Sequence, residues 1–109
     1  MSNRFLSMKS NLINSSIINC SSKMMFKVPL DSSDNVATIR YEQIDENTFD
    51  LVHTDIPEEL QGKGLGTILA ERVFEHLANN NKKFKLTCEF LQSVYERKFC
   101  DRYSAFVIT

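Results

Sequence analysis

Gln61-Gly62-Lys63-Gly64-Leu65-Gly66 holds all three glycines of this 109-residue chain. The hexapeptide separates two hydrophobic patterns, because residues 48–56 alternate as a strand does and residues 65–78 repeat at helical spacing. The first backbone N–H groups of a helix lack partners within it and lie at its positive end, so a strand, a glycine-rich turn and a helix in succession often bind an anion. Glycine also lets the backbone approach a ligand closely. We therefore predict an anion-binding loop at residues 61–66.

The spacing of the glycines excludes the two best-known nucleotide-binding loops. A Walker loop reads G-x-x-x-x-G-K-(S/T), and Lys63 is not followed by Ser or Thr at the required position. A dinucleotide-binding loop reads G-x-G-x-x-G, and Thr67 occupies the place of its third glycine. The pattern that remains is Q-x-x-G-x-G. A surface turn that binds nothing has the same composition, so the rest of the chain has to separate the two interpretations.

Composition predicts one ordinary globular domain, with 42% hydrophobic and 25% charged residues. The net charge of −1 argues against a general nucleic-acid binder, and no apolar run approaches the ~20 residues of a membrane span. Three cysteines, Cys20, Cys88 and Cys100, form no C-x-x-C pair, and the two histidines lie far apart in sequence. This pattern favours a reducing, intracellular compartment, which we expect to be the cytoplasm, and predicts no metal site.

Residues 1–23 differ from the rest of the chain. They are rich in Ser and Asn, and no acidic residue precedes Asp31. The composition is compatible with a mitochondrial presequence, but few basic residues lie in the segment, which favours a disordered extension that packs on nothing. We expect the second, which gives a flexible extension over residues 1–23 and a folded domain over residues 24–109; a mitochondrial location is the alternative to a cytoplasmic one.

The domain is predicted to begin with three strands, at residues 24–30, 36–44 and 48–56, separated by short polar turns. These connections are too short for helical crossovers, so the three strands should form an antiparallel meander. In the third strand, alternation places Phe49, Leu51 and His53 on one face.

The second half of the domain is predicted to be a helix, a strand and a helix. After the helix at residues 65–78, alternation in residues 84–90 predicts a fourth strand with Cys88 and Phe90 on one face. A strand–helix–strand crossover makes this strand parallel to the third. A second helix is predicted at residues 91–99.

Three ordered motifs resemble a small single-domain branch of the GNAT N-acetyltransferase superfamily. They are H-T-x-(V/I)-P at residues 53–57, (R/Q)-G-x-G-x-(A/G) at residues 61–66, and Cys88 at the end of the next strand. The match covers residues 24 to 100. The resemblance implies an α/β fold of abridged GNAT type: a mixed sheet made of an antiparallel three-stranded meander, then a helix and a parallel strand, then a C-terminal helix.

The resemblance also implies a site for acetyl-CoA as co-substrate. Pantetheine would hydrogen-bond to the third strand, and the pyrophosphate would lie on the amides of the glycine loop. Lys63 would add charge, and Gln61 would stabilise the loop. The implied cofactor-binding residues are Thr54, Ile56, Gln61, Gly62, Lys63, Gly64, Leu65, Gly66 and Thr67.

Cys88 is the candidate catalytic residue, because the thioester of a bound cofactor would reach the end of the fourth strand. A thiol there could accept the acetyl group if its pKa were lowered, although a free Cys is more often a small packing residue. Most members of the superfamily transfer the acetyl group directly to an amine, and we expect direct transfer here. Tyr95 and Tyr103 are further candidates, as acids for the leaving thiolate.

The resemblance thus implies an acetyl-CoA-binding N-acetyltransferase that acts on an unidentified small amine or protein amine. Full-size members of the superfamily have extra elements that build a groove for the acceptor, and this chain is too short for much of that groove. The alternative is a CoA-binding or acyl-sensing module with little or no turnover.

Overall fold

The computed structural model describes residues 4–14, 16–30, 35–62 and 64–108. The elements are, in chain order, helix α1 (Arg4–Asn14), strands β1 (Ile18–Cys20), β2 (Met25–Pro29), β3 (Val36–Asp45) and β4 (Thr48–Asp55), a 3₁₀ turn (Glu58–Leu60), helix α2 (Leu65–Asn79), strand β5 (Lys83–Leu86), helix α3 (Glu89–Val94), a π-helical turn (Tyr95–Phe99), helix α4 (Cys100–Tyr103) and strand β6 (Val107–Ile108).

The strands of the described chain form one six-stranded sheet in the order β1-β2-β3-β4-β5-β6. Neighbours from β1 to β4 are antiparallel, whereas β4 and β5, and β5 and β6, are parallel. Short turns permit only antiparallel pairing, and α2 supplies the crossover that parallel pairing needs. The predicted mixed α/β sheet, with its meander over β2 to β4 and a parallel strand after the helix, is confirmed.

The core lies where α2 packs against the sheet. Its buried members include Leu69, Val73, Phe74 and Leu77 from α2 and Phe26, Ile39, Leu51 and Phe84 from the strands. Helical spacing on α2 and two-residue spacing on the strands bring these side chains to one side of each element. The rings of Phe74 and Phe84 stack with their centroids 5.1 Å apart, which fixes α2 over β5.

Helix α1 lies in the segment that was predicted to be a flexible extension. Met8 and Leu12, one helical turn apart, have no exposed surface and belong to the core. Arg72 of α2 donates a hydrogen bond from Nη1 to the carbonyl oxygen of Ile13 at 2.7 Å. The expectation that residues 1–23 pack on nothing therefore does not hold for this helix. An apolar pair at i and i+4 is enough to anchor a polar helix once a tertiary partner is present. A domain boundary at residue 24 stays a prediction.

Strand β5 ends at Leu86 rather than at Phe90, where the sequence predicted its end. The backbone amides of Thr87 and Cys88 both donate to the carbonyl oxygen of Leu51, at 3.1 and 3.0 Å. Two donors on one carbonyl end the parallel ladder, and the chain turns away from β4. Cys88 is consequently the N-cap of α3 instead of a strand residue. Phe90 lies on α3 and is 40% exposed.

The C-terminal helical region is longer and less regular than the helix predicted at residues 91–99. Helix α3, the π-helical turn and α4 follow one another without a break from Glu89 to Tyr103. Strand β6 then pairs with β5 at the edge of the sheet. None of the helices in the described part of the chain is long and apolar enough to cross a membrane.

Candidate functional site

A cavity of about 490 Å³ opens between the end of β4, the glycine loop and α3. It is lined by Thr54, Ile56, Leu60, Gln61, Gly62, Gly64, Leu65, Gly66, Thr67 and Phe90. Eight of the nine cofactor-binding residues predicted from the sequence lie on this cavity, and the ninth, Lys63, lies outside the described residues. Sequence reasoning missed Leu60 and Phe90. The motifs are polar and glycine-based, and they contain no signal for these apolar wall residues.

A β-bulge in β4 decides which side chains face the cavity. Two adjacent residues of β3 pair with Leu51 and His53, so Val52 is an extra residue on β4. The extra residue reverses the alternation of the strand. Thr54 lines the cavity, whereas His53 is exposed and does not. The sequence had predicted His53 on the face of Phe49 and Leu51, which is wrong because regular alternation takes no account of a bulge.

The edge of β4 beyond Leu51 has no strand beside it on the β5 side in the described chain. The ladder between β4 and β5 runs only from Thr48 to Leu51, while the ladder between β4 and β3 continues to Asp55. Backbone N–H and C=O groups that point to the β5 side therefore need partners other than a strand. A ligand that carries amide groups can hydrogen-bond to such an edge as an added strand does.

Gln61 ties the glycine loop to the end of β4. Its side-chain Nε2 donates to the carbonyl oxygen of Ile56 at 3.0 Å. Between these residues the 3₁₀ turn buries the side chain of Leu60 completely. The loop thus begins from a fixed position. A carbonyl oxygen has two lone pairs, so that of Ile56 keeps one acceptor site.

Two glycines of the loop adopt left-handed backbone conformations. The φ angles are +78° at Gly62 and +82° at Gly64. Side chains disfavour this region, and Gly64 is the N-cap of α2. No side chain caps this helix, and its first turn contains no acidic residue. The amides at the start of α2 and the positive end of its dipole therefore remain uncompensated, as an anion site requires.

Position 66 requires glycine because there is no room for a side chain there. A Cβ atom at this position would lie 2.7 Å from Cζ of Phe90, closer than atoms of two side chains approach. The ring of Phe90 therefore packs against Gly66 in the first turn of α2, where glycine has a hydrogen atom in place of a side chain. This contact forms one wall of the cavity and joins α3 to the glycine loop.

Cys88 lies at the strand end of the cavity. Its Sγ is 3.5 Å from the hydroxyl oxygen of Thr54, and the two side chains share a hydrogen bond. Cys88 is half-buried and packs against the hydrophobic core. A nucleophilic thiol is normally activated by a neighbouring base or cation. The hydroxyl of Thr54 is neither.

Tyr95 and Tyr103, the two candidate acids, do not line the cavity. The hydroxyl of Tyr95 donates to the carbonyl oxygen of Cys100 at 3.3 Å. Tyr103 is buried, with its ring centroid 5.9 Å from that of Phe74 and 6.1 Å from that of Phe99. Burial raises the pKa of both hydroxyls. An acid has to reach the leaving group, and these two side chains instead pack against the ring of Phe74 on α2.

Comparison with known proteins identifies a family and several proteins to which this chain is similar. A family model described as GCN5-related N-acetyl-transferase matches residues 25–104, which include the whole cavity. The solution NMR structure of a GCN5-like protein from Staphylococcus aureus is similar, with a TM-score of 0.61 and 30% sequence identity, over 91% of this chain and 90% of that one. Protein NATD1 of Xenopus tropicalis is 27% identical over 81 residues, 74% of each chain. Human protein NATD1 is 26% identical over 81 residues, 74% of this chain and 72% of its own.

Proposed function

The chain belongs to the GNAT superfamily of GCN5-related N-acetyltransferases, and on this premise we propose that it binds acetyl-CoA in the cavity described above and transfers the acetyl group to an amine. One observation carries the proposal: the unpaired edge of β4 and the uncapped start of α2 open onto the same cavity. An unpaired strand edge suits an amide-containing chain such as pantetheine, and an uncapped helix start suits a pyrophosphate. Acetyl-CoA carries both groups.

The residues of the cavity fit such a ligand. Its volume of about 490 Å³ lies within the range of small-molecule sites. The left-handed conformations of Gly62 and Gly64 keep Cβ atoms away from the loop backbone, so phosphate oxygens can approach its amides. Thr54 and Ile56 lie at the strand edge that would hydrogen-bond to pantetheine. Gln61 holds the loop and the strand end together, so both halves of the site are positioned before a ligand arrives.

Acetyl-CoA supplies an acyl carbon that is activated as a thioester. In direct transfer the nitrogen lone pair of the acceptor forms a C–N bond to this carbon, the C–S bond breaks, the thiolate leaves with the electron pair and takes up a proton, and the nitrogen loses one. The chain contributes mainly by positioning the reactants. In the proposed complex, Thr54 and Cys88 stand at the reacting end, because they contact each other just beyond Leu51, where the ladder between β4 and β5 ends.

Cys88 also offers a covalent route, in which its sulfur carries the acetyl group between acetyl-CoA and the amine. Its thiolate would attack the acyl carbon, release the CoA thiol and later yield the acetyl group to the amine. The side-chain partner of its sulfur is the neutral hydroxyl of Thr54, which is neither a base nor a cation and therefore does not activate a thiol as a nucleophile. We therefore propose direct transfer, with Cys88 as a positioning residue.

A second candidate function is a CoA-binding module with little turnover. None of the described residues that line the cavity is acidic, basic, a histidine or a tyrosine. None of these described side chains can remove the proton of an acceptor amine. This observation favours the module unless the acceptor or solvent takes that proton.

Calorimetric and thermal-shift titrations with acetyl-CoA, CoA and NAD test the proposal. We expect acetyl-CoA and CoA to bind and NAD to leave the protein unchanged. A ligand at about 100 times its dissociation constant adds about 2.7 kcal/mol to the free energy of unfolding. Replacing Gly64 by Glu, which puts a carboxylate on the loop, should abolish binding while the domain stays folded. Unaltered affinity of this variant would refute the site.

Release of CoA with a panel of small amines and peptide amines separates the two functions. An N-acetyltransferase releases CoA in proportion to the acetylated amine. A module binds acetyl-CoA and releases none beyond the rate of hydrolysis with any amine of the panel.

A further inference from the structure

We propose that Lys9 of α1 supplies a positive charge to the phosphate end of this cavity, an inference that rests on the proposed function. Helix α1 precedes residues 25–104, the segment that the family model matches. A Cβ atom built on Gly64 would lie 3.7 Å from Nζ of Lys9 and 3.9 Å from its Cε. The ammonium group therefore stands beside the N-cap of α2.

The helix that carries Lys9 is held against the domain. Met8 and Leu12 are both fully buried, and Arg72 binds the carbonyl oxygen of Ile13. Lys9 itself is partly buried. A lysine on a docked helix has less conformational freedom to lose on binding than a lysine on a mobile loop. Its position is thus prepared before the ligand arrives.

The electrostatic surroundings of Lys9 favour the binding of an anion. The start of α2 is the positive end of a helix dipole, so a second positive group placed there is repelled. Arg102 forms ion pairs with Glu71 and Glu75, whereas Lys9 forms none with the described residues. A phosphate between the ammonium group and the amides of α2 would remove this repulsion and form charge-assisted hydrogen bonds.

A CoA ligand carries more charge than the described lining of the cavity can balance. Every described lining residue is uncharged, whereas CoA carries a pyrophosphate and a further phosphate. Lys9 adds a positive charge from α1, which lies outside the residues 25–104 that the family model matches. The N-terminal helix thus becomes part of the ligand site as well as part of the core.

Calorimetry on the full chain tests this inference with Lys9→Gln, Lys9→Arg and, as a matched control, Lys98→Gln. Lys98 is exposed in the π-helical turn and does not line the cavity. We expect the affinity for acetyl-CoA to fall roughly ten-fold in Lys9→Gln, to fall far less in Lys9→Arg, and to stay unchanged in Lys98→Gln. The salt dependence of binding should be weaker in Lys9→Gln than in wild type.

A phosphate-free ligand, S-acetyl-pantetheine, distinguishes charge from packing. Lys9→Gln should bind it as wild type does, and the thermal midpoint of the ligand-free variant should be equal to or above that of wild type because a repulsion has been removed. Equal affinity of wild type and Lys9→Gln for acetyl-CoA would overturn the role of Lys9 and leave the proposed function intact. Equal losses for both ligands would also overturn it. Failure of wild type to bind acetyl-CoA would instead refute the proposed function.

Discussion

The sulfur of Cys88 and the hydroxyl oxygen of Thr54 are 3.5 Å apart, one at the N-cap of α3 and the other on β4 past its bulge. The contact lies where the ladder between β4 and β5 has ended. It thus joins the unpaired strand edge to the turn at which the chain leaves the sheet. In the proposed direct transfer this pair would shape the reacting end of the cavity, whereas in the covalent route the sulfur itself would become acetylated.

Replacing Cys88 by Ala should change turnover by less than about ten-fold, because only the positioning of the reactants is disturbed. Steady-state CoA release with a reactive amine measures this effect, and Cys100→Ala, which removes an exposed thiol, is the control. Loss of a true nucleophile lowers turnover by on the order of 10³-fold or more. A loss of that size, together with an S-acetylated Cys88 in the mass spectrum of wild type, would establish the covalent route.

Replacing Gly66 by Ala should weaken acetyl-CoA binding with little effect on stability. The new methyl group would push the exposed ring of Phe90 into the cavity, since the two atoms would otherwise lie 2.7 Å apart. Ala is favoured over Gly inside a helix by about 1 kcal/mol, which offsets the displaced contact. Calorimetry and urea unfolding measure the two effects.

The double variant Gly66→Ala/Phe90→Ala is the control for this steric explanation. Removing the ring should restore much of the affinity that Gly66→Ala loses. If the double variant binds no better than the single one, the methyl group acts on the loop backbone and not through Phe90.

Replacing Gln61 by Ala should lower the free energy of unfolding by about 1 kcal/mol, because a part-buried hydrogen bond to the carbonyl oxygen of Ile56 is lost. Binding of acetyl-CoA should weaken as well, since the loop is no longer fixed to β4. Gln43→Ala is the matched control, because it removes a similar bond, to the carbonyl oxygen of Asp45, at the exposed end of β3. Equal effects of the two substitutions on binding would contradict this role of Gln61.

Replacing Leu12 by Ala should lower the free energy of unfolding by about 2–4 kcal/mol, because this side chain is fully buried in the core. The neighbouring Ile13 is 54% exposed, and Ile13→Ala should have only a small effect. Urea unfolding of the two variants measures the difference. Equal free energies of unfolding for Leu12→Ala and Ile13→Ala would mean that α1 does not belong to the core. The sequence prediction of an extension that packs on nothing would then be right.

The stability of the fold should decrease as the pH falls below about 6.5 because of His76. Burial, with a smaller contribution from the charge of Arg72, lowers the pKa of this side chain in the folded state from its usual value of 6.5. The unfolded chain then binds the proton more tightly, so the stability contributed by neutral His76 is complete above the unfolded-state pKa and is lost as the pH falls through it. Urea unfolding at about pH 7.5 and about pH 5.5 should show a smaller decrease in His76→Gln than in wild type. His53→Gln, at an exposed position, should keep the decrease of wild type.

Local sequence was sufficient for most of the fold and for the loop at the centre of the site. Short polar turns permit only antiparallel pairing, so the meander over β2 to β4 was predictable, and helical spacing after residue 64 predicted α2 to within one residue of its end. Glycine spacing selected residues 61–66 because backbone freedom at Gly62 and Gly64 is a property of those residues themselves. Eight of the cofactor-binding residues predicted from these local patterns line one cavity.

Tertiary packing decided the features that sequence reasoning missed. The bulge at Val52, the end of β5 at the doubly bonded carbonyl of Leu51 and the burial of Leu12 all depend on partners far away in the chain. Periodicity describes what one segment prefers and carries no information on which neighbour competes for its hydrogen bonds or its apolar face. The sequence by itself therefore determined the glycine loop and the elements on either side of it. Only the tertiary structure set Thr54 beside Cys88, the ring of Phe90 on Gly66 and the ammonium group of Lys9 beside the start of α2.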